Sequence, residues 1–365
     1  MAEIYILSDY GKLTNKDETI VFVQPDGTST LLFPFKTEQL VVMGNVSVSG
    51  DALRMLSKYK ITTTFLSPNG RFNGKLTFGD GKNVFLRQRQ YRILDDAERS
   101  LQIARSIVTG KIRNQISFMQ RIKRKNGAEE KSLLDSINAI KRTLENAQSA
   151  GDMEKLRGYE GLAARQYFSV FGCNIIPGWA EFKSRSKNPP RSNVNAVLSF
   201  LYTLLLYRVE SALESHGLDV CCGNLHAVNY GKQALSFDLM EEFRAAIADS
   251  VCCALFNLGT LAESDFEERL FSEDNTDYPL ENAAAPDSAE PCAEGLPDGA
   301  VKAVLLTKGG IKKVISAFEA KMDAVILYQP LGKKISYQKI IYEQAKHYRR
   351  VISGEETEYR AYYFK

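Results

Sequence analysis

The feature that most constrains this chain is a change of hydrophobic period near Leu86. Before it, β-branched and aromatic residues come in short runs separated by turn groups. After it, apolar residues recur three and four apart, the spacing of a helix face. Such a chain folds as a strand-built piece followed by a helix-built one, so an α+β, multidomain protein is expected. Its 365 residues also exceed what one core usually holds. The expected division is a small β-rich domain over residues 1–85 and a mainly α-helical domain over residues 86–365.

Strands are predicted in EIYILSDYGKLT, TIVFVQPDG, STLLFPF, LVVMGNVSVSG and ITTTFLSPNGRFNGKLTF, with turns at Pro25-Asp26-Gly27 and Pro68-Asn69-Gly70. One short helix, Gly50 to Tyr59, interrupts them. Beyond Leu86, helical stripes run through residues 86–122, 130–148, 152–171, 195–217 and 238–258. There is no internal repeat.

The net charge of +3 does not by itself mark a nucleic-acid binder, but its distribution is uneven. Residues 272–299 hold eight acidic side chains, no Lys or Arg, and four prolines. That stretch reads as a mobile acidic insertion with little to bury. The rest of the chain, with 47 Lys and Arg against 36 Asp and Glu, carries +11.

The N-terminus MAEIYILSDYGK lacks the basic start and long apolar run of a secretory signal, and no run of about eighteen uninterrupted apolar residues follows. A cytoplasmic protein without a membrane span is expected. The six cysteines (Cys173, Cys221, Cys222, Cys252, Cys253, Cys292) form neither a C-x-x-C pair nor a zinc spacing, and read as reduced thiols.

Three clusters carry candidate chemistry. Glu160 falls inside the stripe Leu156, Ala163, Ala164, Tyr167, Phe171. A carboxylate enclosed there must be neutralised, paired or bound to a cation, because an unpaired buried charge costs several kcal/mol. A salt bridge to Arg157 or Arg165 and a site role both satisfy that demand. The second cluster is GNLHAVNYGKQALSFDLMEEFRAAIADS. His226 sits in a loop, Ala234 to Phe237 reads as a short extended run, and Asp238 is well typed as the N-cap of a following helix. Glu241, three residues on, lies between the apolar stripe Phe243, Ile247, Val251, Leu255 and the small one Ala245, Ala248, Cys252, so it too is enclosed. Two enclosed carboxylates and a loop histidine form an O/N ligand set suited to Mg²⁺ or Mn²⁺, although a lone loop histidine is more often a surface or packing residue. Phosphodiester chemistry needs such a set, because negative charge builds on the phosphate oxygens in the transition state. The third cluster places Lys183, Arg185, Lys187 and Arg191 around Pro189-Pro190, ahead of an apolar helix starting near Asn193. It suits phosphate contacts or is a solvated basic loop.

Together the clusters resemble the CRISPR-associated Cas-one family of adaptation endonuclease/integrases. The matching stretches are Gly158-Tyr159-Glu160-Gly161-Leu162-Ala163-Ala164-Arg165-Gln166-Tyr167-Phe168, Asn188-Pro189-Pro190-Arg191-Ser192-Asn193-Val194-Asn195-Ala196, Leu225-His226 and Asp238-Leu239-Met240-Glu241-Glu242-Phe243-Arg244. Gly44-Asn45-Val46-Ser47-Val48-Ser49 and Gly70-Arg71-Phe72-Asn73-Gly74-Lys75-Leu76 match in the N-terminal part. The resemblance implies a dimerising N-terminal domain, a homodimer, a small ferredoxin-like CRISPR adaptation partner, and double-stranded protospacer and repeat DNA. It implies that 3′-hydroxyls of captured DNA attack phosphodiesters of the repeat array. By position Glu160, His226 and Glu241 match the metal ligands and Asp238 a supporting acidic residue. Arg185, Arg191, Tyr167 and Lys232 are expected near DNA by motif proximity. An idle DNA-binding scaffold and a general nuclease of branched DNA are the other readings. The insertion at 272–299 departs from the family pattern, as an inert loop or as an occupant of the basic groove.

Overall fold

The computed structural model describes residues 2–68, 70, 72–78, 83–126, 130–186, 189–272 and 300–364. Lys187 and, apart from Ser272, the acidic insertion lie outside them. The chain divides into two compact units, the first built on Met1–Lys82 and the second opening at Asn83.

In the first unit the strand-forming runs become β1 (Ala2–Lys16), β2 (Thr19–Val23), β3 (Ser29–Leu32), β4 (Thr37–Val48), β5 (Thr62–Leu66) and β6 (Phe72–Leu76). They form one sheet in the order β3-β2-β1-β4-β5-β6. The β1–β4 and β4–β5 pairs are parallel and the others antiparallel. Helix α1 (Gly50–Lys58) connects β4 to β5, capped by Ser49, whose hydroxyl accepts from the Ala52 amide at 3.2 Å. Ile6, Leu13, Ile20, Leu40 and Val42 of the sheet meet Ala52 and Leu56 of α1 in the core. The β1–β4 register shifts between Leu7 and Tyr10. Opposite that shift Gly44 has φ +113°, and a Cβ there would stand 1.8 Å from the Ser8 carbonyl oxygen, so only glycine lets β4 pass.

The second unit starts with α2 (Val84–Asp95) and α3 (Ala97–Asn126). The single stripe seen in the sequence is two helices because Asp96 turns extended (φ −91°, ψ 95°) and its carboxylate accepts the Arg99 amide at 3.0 Å, capping α3. Helices α4 (Glu130–Gln148), α5 (Met153–Phe171) and α6 (Asn193–Ser215) follow. Eighteen of the 23 residues of α6 are buried, which explains a helix apolar on every side: by length and composition it could cross a bilayer, yet here it is the core. Its one arginine, Arg208, is neutralised by both carboxylate oxygens of Glu319 at 2.6 Å.

Next come α7 (Ala234–Met240), a π-helical turn at Ala245–Asp249 and α8 (Ser250–Asn257). Two pairs of strands then interrupt the helical pattern. Strands β7 (Phe266–Ser272) and β8 (Ala300–Leu306) pair antiparallel, so the acidic insertion joins the two arms of a ribbon. Helix α9 (Lys308–Asp323), the ribbon β9 (Val325–Tyr328) with β10 (Lys333–Ser336), and α10 (Tyr337–Ser353) complete the unit. All five cysteines among the described residues are free thiols.

Candidate metal centre

The two suspected carboxylates converge. Glu160 projects from α5 at the edge of its apolar stripe, and Glu241 stands directly after α7 with its side chain 3% exposed. Between them lies the ammonium of Lys111 from α3, itself 7% exposed. It bonds Glu160 Oε1 and stands 2.7 Å from Glu241 Oε2. The partner of Glu160 is therefore neither Arg157 nor Arg165 but a lysine from another helix. Arg244 Nη2 lies 3.3 Å from Glu241 Oε1.

Electrostatics follow from this packing. Burial pushes the Glu241 carboxyl up, yet the Arg244 guanidinium and the Lys111 ammonium outweigh it and hold it well below the ordinary glutamate value. Burial likewise disfavours the Lys111 ammonium, and Glu160 and Glu241 reverse that, so its net shift is upward. Glu241 is thus set to stay charged next to a cation.

The sequence reading of Asp238 needs correction. Helix α7 begins at Ala234, where an extended run was expected, so Asp238 is an interior helical residue and not an N-cap. Its fully buried carboxylate reaches the loop twelve to fourteen residues before it. Oδ2 accepts the Asn224 amide at 2.5 Å and the Leu225 amide at 2.9 Å. Oδ1 accepts the His226 amide at 2.9 Å and stands 2.7 Å from His226 Nδ1. Four N–H groups gathered on one acidic side chain put the ring proton on Nδ1 and leave Nε2 with a lone pair.

Other elements fix the same loop. Arg157 Nε donates to the Leu225 carbonyl at 2.7 Å. Asn224 donates to Ser100 Oγ at 3.1 Å and accepts from the Tyr348 hydroxyl at 2.7 Å. Gly223 has to be glycine, since a Cβ would stand 2.6 Å from the Ala234 carbonyl carbon at the start of α7. His226 is thus an enclosed, pre-oriented imidazole on a clamped loop.

Past Glu241 the helix changes pitch. The Glu241 and Phe243 amides bond back three residues and the Asp249 amide bonds back five, to Arg244. Such π-type irregularities recur at functional sites because they re-aim one side chain within an otherwise regular helix. Here the irregularity presents Asp249, which is buried and accepts from Tyr167 at 2.7 Å and Tyr202 at 2.6 Å. Burial raises its carboxyl above the ordinary value, and those hydroxyls with Arg244 and Arg185 oppose the rise.

The residues expected at DNA sort differently. Tyr167 is 1% exposed with its hydroxyl committed to Asp249, so it has no surface to offer and its expected contact is corrected to a core role. Arg185, half-buried, donates to Asn195 Oδ1 at 3.0 Å and Ser199 Oγ at 3.1 Å, pinning the basic loop to α6. Arg191 is exposed beside it. Lys232 lies 6.0 Å over the Phe237 ring, and burial lowers its ammonium pKa.

Sequence reasoning missed Lys111, although its signal was present: it stands seven, four and three residues after Ala104, Ile107 and Val108, in the middle of the α3 stripe. It also missed Glu242. That buried carboxyl receives the Tyr359 hydroxyl, the Tyr362 amide and the Gln344 amide, and burial pushes it up to about 8 against those donors. It ties the C-terminal segment to the backbone of the site.

The donor set fits a divalent cation. Glu241 Oε2 is buried without an aligned hydrogen bond, two carboxylates are close enough to share one ammonium, and an imidazole Nε2 is free of its acidic partner. Among the described residues no three His, Cys, Asp or Glu side chains stand in ready ion-holding geometry, and the Lys111 ammonium lies between the two glutamates.

Comparison with known proteins gives a consistent picture. The family model described as CRISPR associated protein Cas1 matches residues 4–273. The CRISPR-associated endonuclease Cas1 3 of Thermus thermophilus is 32% identical over 361 residues, covering 98% of this chain and 96% of its own. The CRISPR-associated endonuclease Cas1 1 of Moorella thermoacetica is 30% identical over 358 residues, covering 97% and 96%. Among solved structures, a Cas1 protein from Thermotoga maritima superposes with a TM-score of 0.77 at 21% identity, over 99% of this chain and 100% of that one. A casposase bound to integration product does so at 0.79 and 17%, over 100% and 95%. A chain of a Cas6-RT-Cas1–Cas2 complex does so at 0.79 and 20%, over 99% of this chain and 36% of that longer one. These structures share the fold.

Proposed function

The chain belongs to the CRISPR-associated Cas1 family, and from that premise we propose that it is a DNA endonuclease and integrase of CRISPR adaptation, with Glu160, His226 and Glu241 as the ligands of a catalytic Mg²⁺ or Mn²⁺. The observation that carries the site assignment is the shared ammonium: a glutamate of α5 and the one that follows α7 are folded around one positive charge. Two carboxylates brought together in an enclosed site need a compensating cation or a shared proton, and here a cation is present.

In the joining reaction a 3′-hydroxyl of the captured DNA attacks a repeat phosphorus. One O–P bond forms, one breaks, and the departing 3′-oxygen leaves as a hydroxyl, so the step runs in either direction. A divalent cation bound here would neutralise charge on the phosphate oxygens as they approach the transition state. The protein's own part is positional. Asp238 fixes the tautomer and direction of His226, Arg244 holds Glu241, and the enclosing helices keep water from the Glu241 carboxylate, where charge interactions act most strongly. The basic loop with Arg185 and Arg191, and Lys232, supplies positive charge for the DNA backbone in this reading. A homodimer, a Cas2-type partner and protospacer and repeat DNA complete the assembly. The Cas2-containing complex that holds a chain of this fold supports the partner.

Replacing His226 with Ala tests the assignment. Mn²⁺-dependent strand transfer on a repeat-containing duplex is expected to fall by about 100-fold or more, the scale for losing a metal ligand or its support. Unchanged joining would overturn the assigned site.

A further inference from the structure

We propose that Lys111 is a resident counter-cation of the metal centre, which a divalent ion must displace, so that metal affinity is low until a DNA phosphate arrives to receive the released ammonium. The inference rests on the metal-centre reading above and adds a residue and a coupling to it.

Lys111 sits in a buried stripe with Ile107, Val108 and Ile112, where an ammonium persists only if paired. Among the described residues its ion partners are Glu160 and Glu241, the two glutamates assigned to the metal. With Arg244 on the other oxygen of Glu241, two carboxylates already face two cations. A divalent ion entering this arrangement meets an excess of positive charge, so one cation has to move. Arg244 is the less mobile, with its guanidinium 4.6 Å from the Tyr202 ring centre, whereas the lysine ammonium ends a flexible four-carbon stem. Once displaced, it is a compact positive charge beside the metal, which a phosphodiester can accept. Metal and DNA then bind cooperatively: each removes the obstacle to the other, and the coupling is reciprocal.

The test is Mn²⁺ binding by calorimetry to the full-length protein, wild type against Lys111→Met and Lys111→Arg, with and without a short duplex. The methionine keeps the stem and removes the charge. Lys111→Met is expected to bind Mn²⁺ at least about tenfold more tightly than wild type without DNA, a gap that closes when duplex is added, while Lys111→Arg binds no better than wild type. Equal or weaker Mn²⁺ binding by Lys111→Met overturns the proposal and leaves the metal centre standing. No Mn²⁺ binding by any of the three, with DNA present, overturns the metal centre itself. A second measurement uses the wild type alone: lysine acetylation mapped by mass spectrometry. Lys111 is expected to be protected without metal and to become several-fold more reactive on adding Mn²⁺, and protection that Mn²⁺ leaves unchanged overturns the proposal.

Discussion

Asp238→Asn probes the site most finely, because it preserves shape and changes only what each atom can accept. The carboxylate now receives four N–H groups, two on each oxygen, at 2.5 to 2.9 Å. Asparagine offers one oxygen and one NH₂. Its least costly seating keeps the oxygen on the Asn224 and Leu225 amides and turns the NH₂ toward His226. The imidazole can answer by moving its proton to Nε2, so that Nδ1 accepts. The His226 backbone N–H has no such option and is left buried without a partner, at a cost of about 1–3 kcal/mol. The tautomer change takes the lone pair from the nitrogen assigned to the metal, and losses from disturbed supporting residues run about 10- to 100-fold. The expected result is a modest stability loss by urea unfolding, together with a drop of about 100-fold in Mn²⁺-dependent DNA cleavage. His226→Ala serves as control, with the same activity loss. A variant that loses about 1–3 kcal/mol yet cleaves like wild type would refute the tautomer argument.

Other perturbations separate structure from chemistry. Glu242 binds a proton in the folded state up to about pH 8, which the unfolded chain releases near the ordinary glutamate value of about 4.3. Its contribution to stability is therefore complete below about pH 4.3 and is lost as pH rises to about 8, with a slope of up to about 1.4 kcal/mol per unit. Glu242→Gln should flatten urea-unfolding stability between pH 5 and 8, and an unchanged slope would refute the buried neutral carboxyl. Tyr167→Phe removes one of the two hydroxyls on Asp249 and should cost about 1–3 kcal/mol while leaving DNA affinity unchanged. A loss of DNA affinity at unchanged stability would return Tyr167 to the DNA surface. Glu160→Gln should abolish Mn²⁺-dependent cleavage by about 100-fold or more while the protein stays folded, because Lys111 retains Glu241 as its partner.

Much of the fold was legible because each unit declares its period. The β-branched run LVVMGNVSV gave β4, and the apolar stripe over residues 195–217 gave the helix α6. Glu160 and Glu241 were legible for the same reason: a carboxylate in an apolar stripe violates the pattern that surrounds it. The rest depends on partners distant in sequence. Asp238 has the chemistry of a cap, and nothing local shows that its oxygens instead collect three loop amides and an imidazole. The link between Lys111 and Glu160 joins residues 49 apart on different helices. The break at Asp96 was hidden because one good helix pattern continues on both sides of it, while the short ribbons β7–β8 and β9–β10 are too brief to stand out.

The central claim, that Glu160, His226 and Glu241 hold one divalent cation, is tested most directly by diffraction from a Mn²⁺-soaked crystal at the manganese edge. A single anomalous peak is expected within about 2.0–2.2 Å of a Glu160 oxygen, a Glu241 oxygen and His226 Nε2, the range for a small oxygen-loving cation. A peak lying elsewhere while crystals of the same protein remain competent to cleave DNA, or one held by the glutamates with Nε2 turned away, would contradict it.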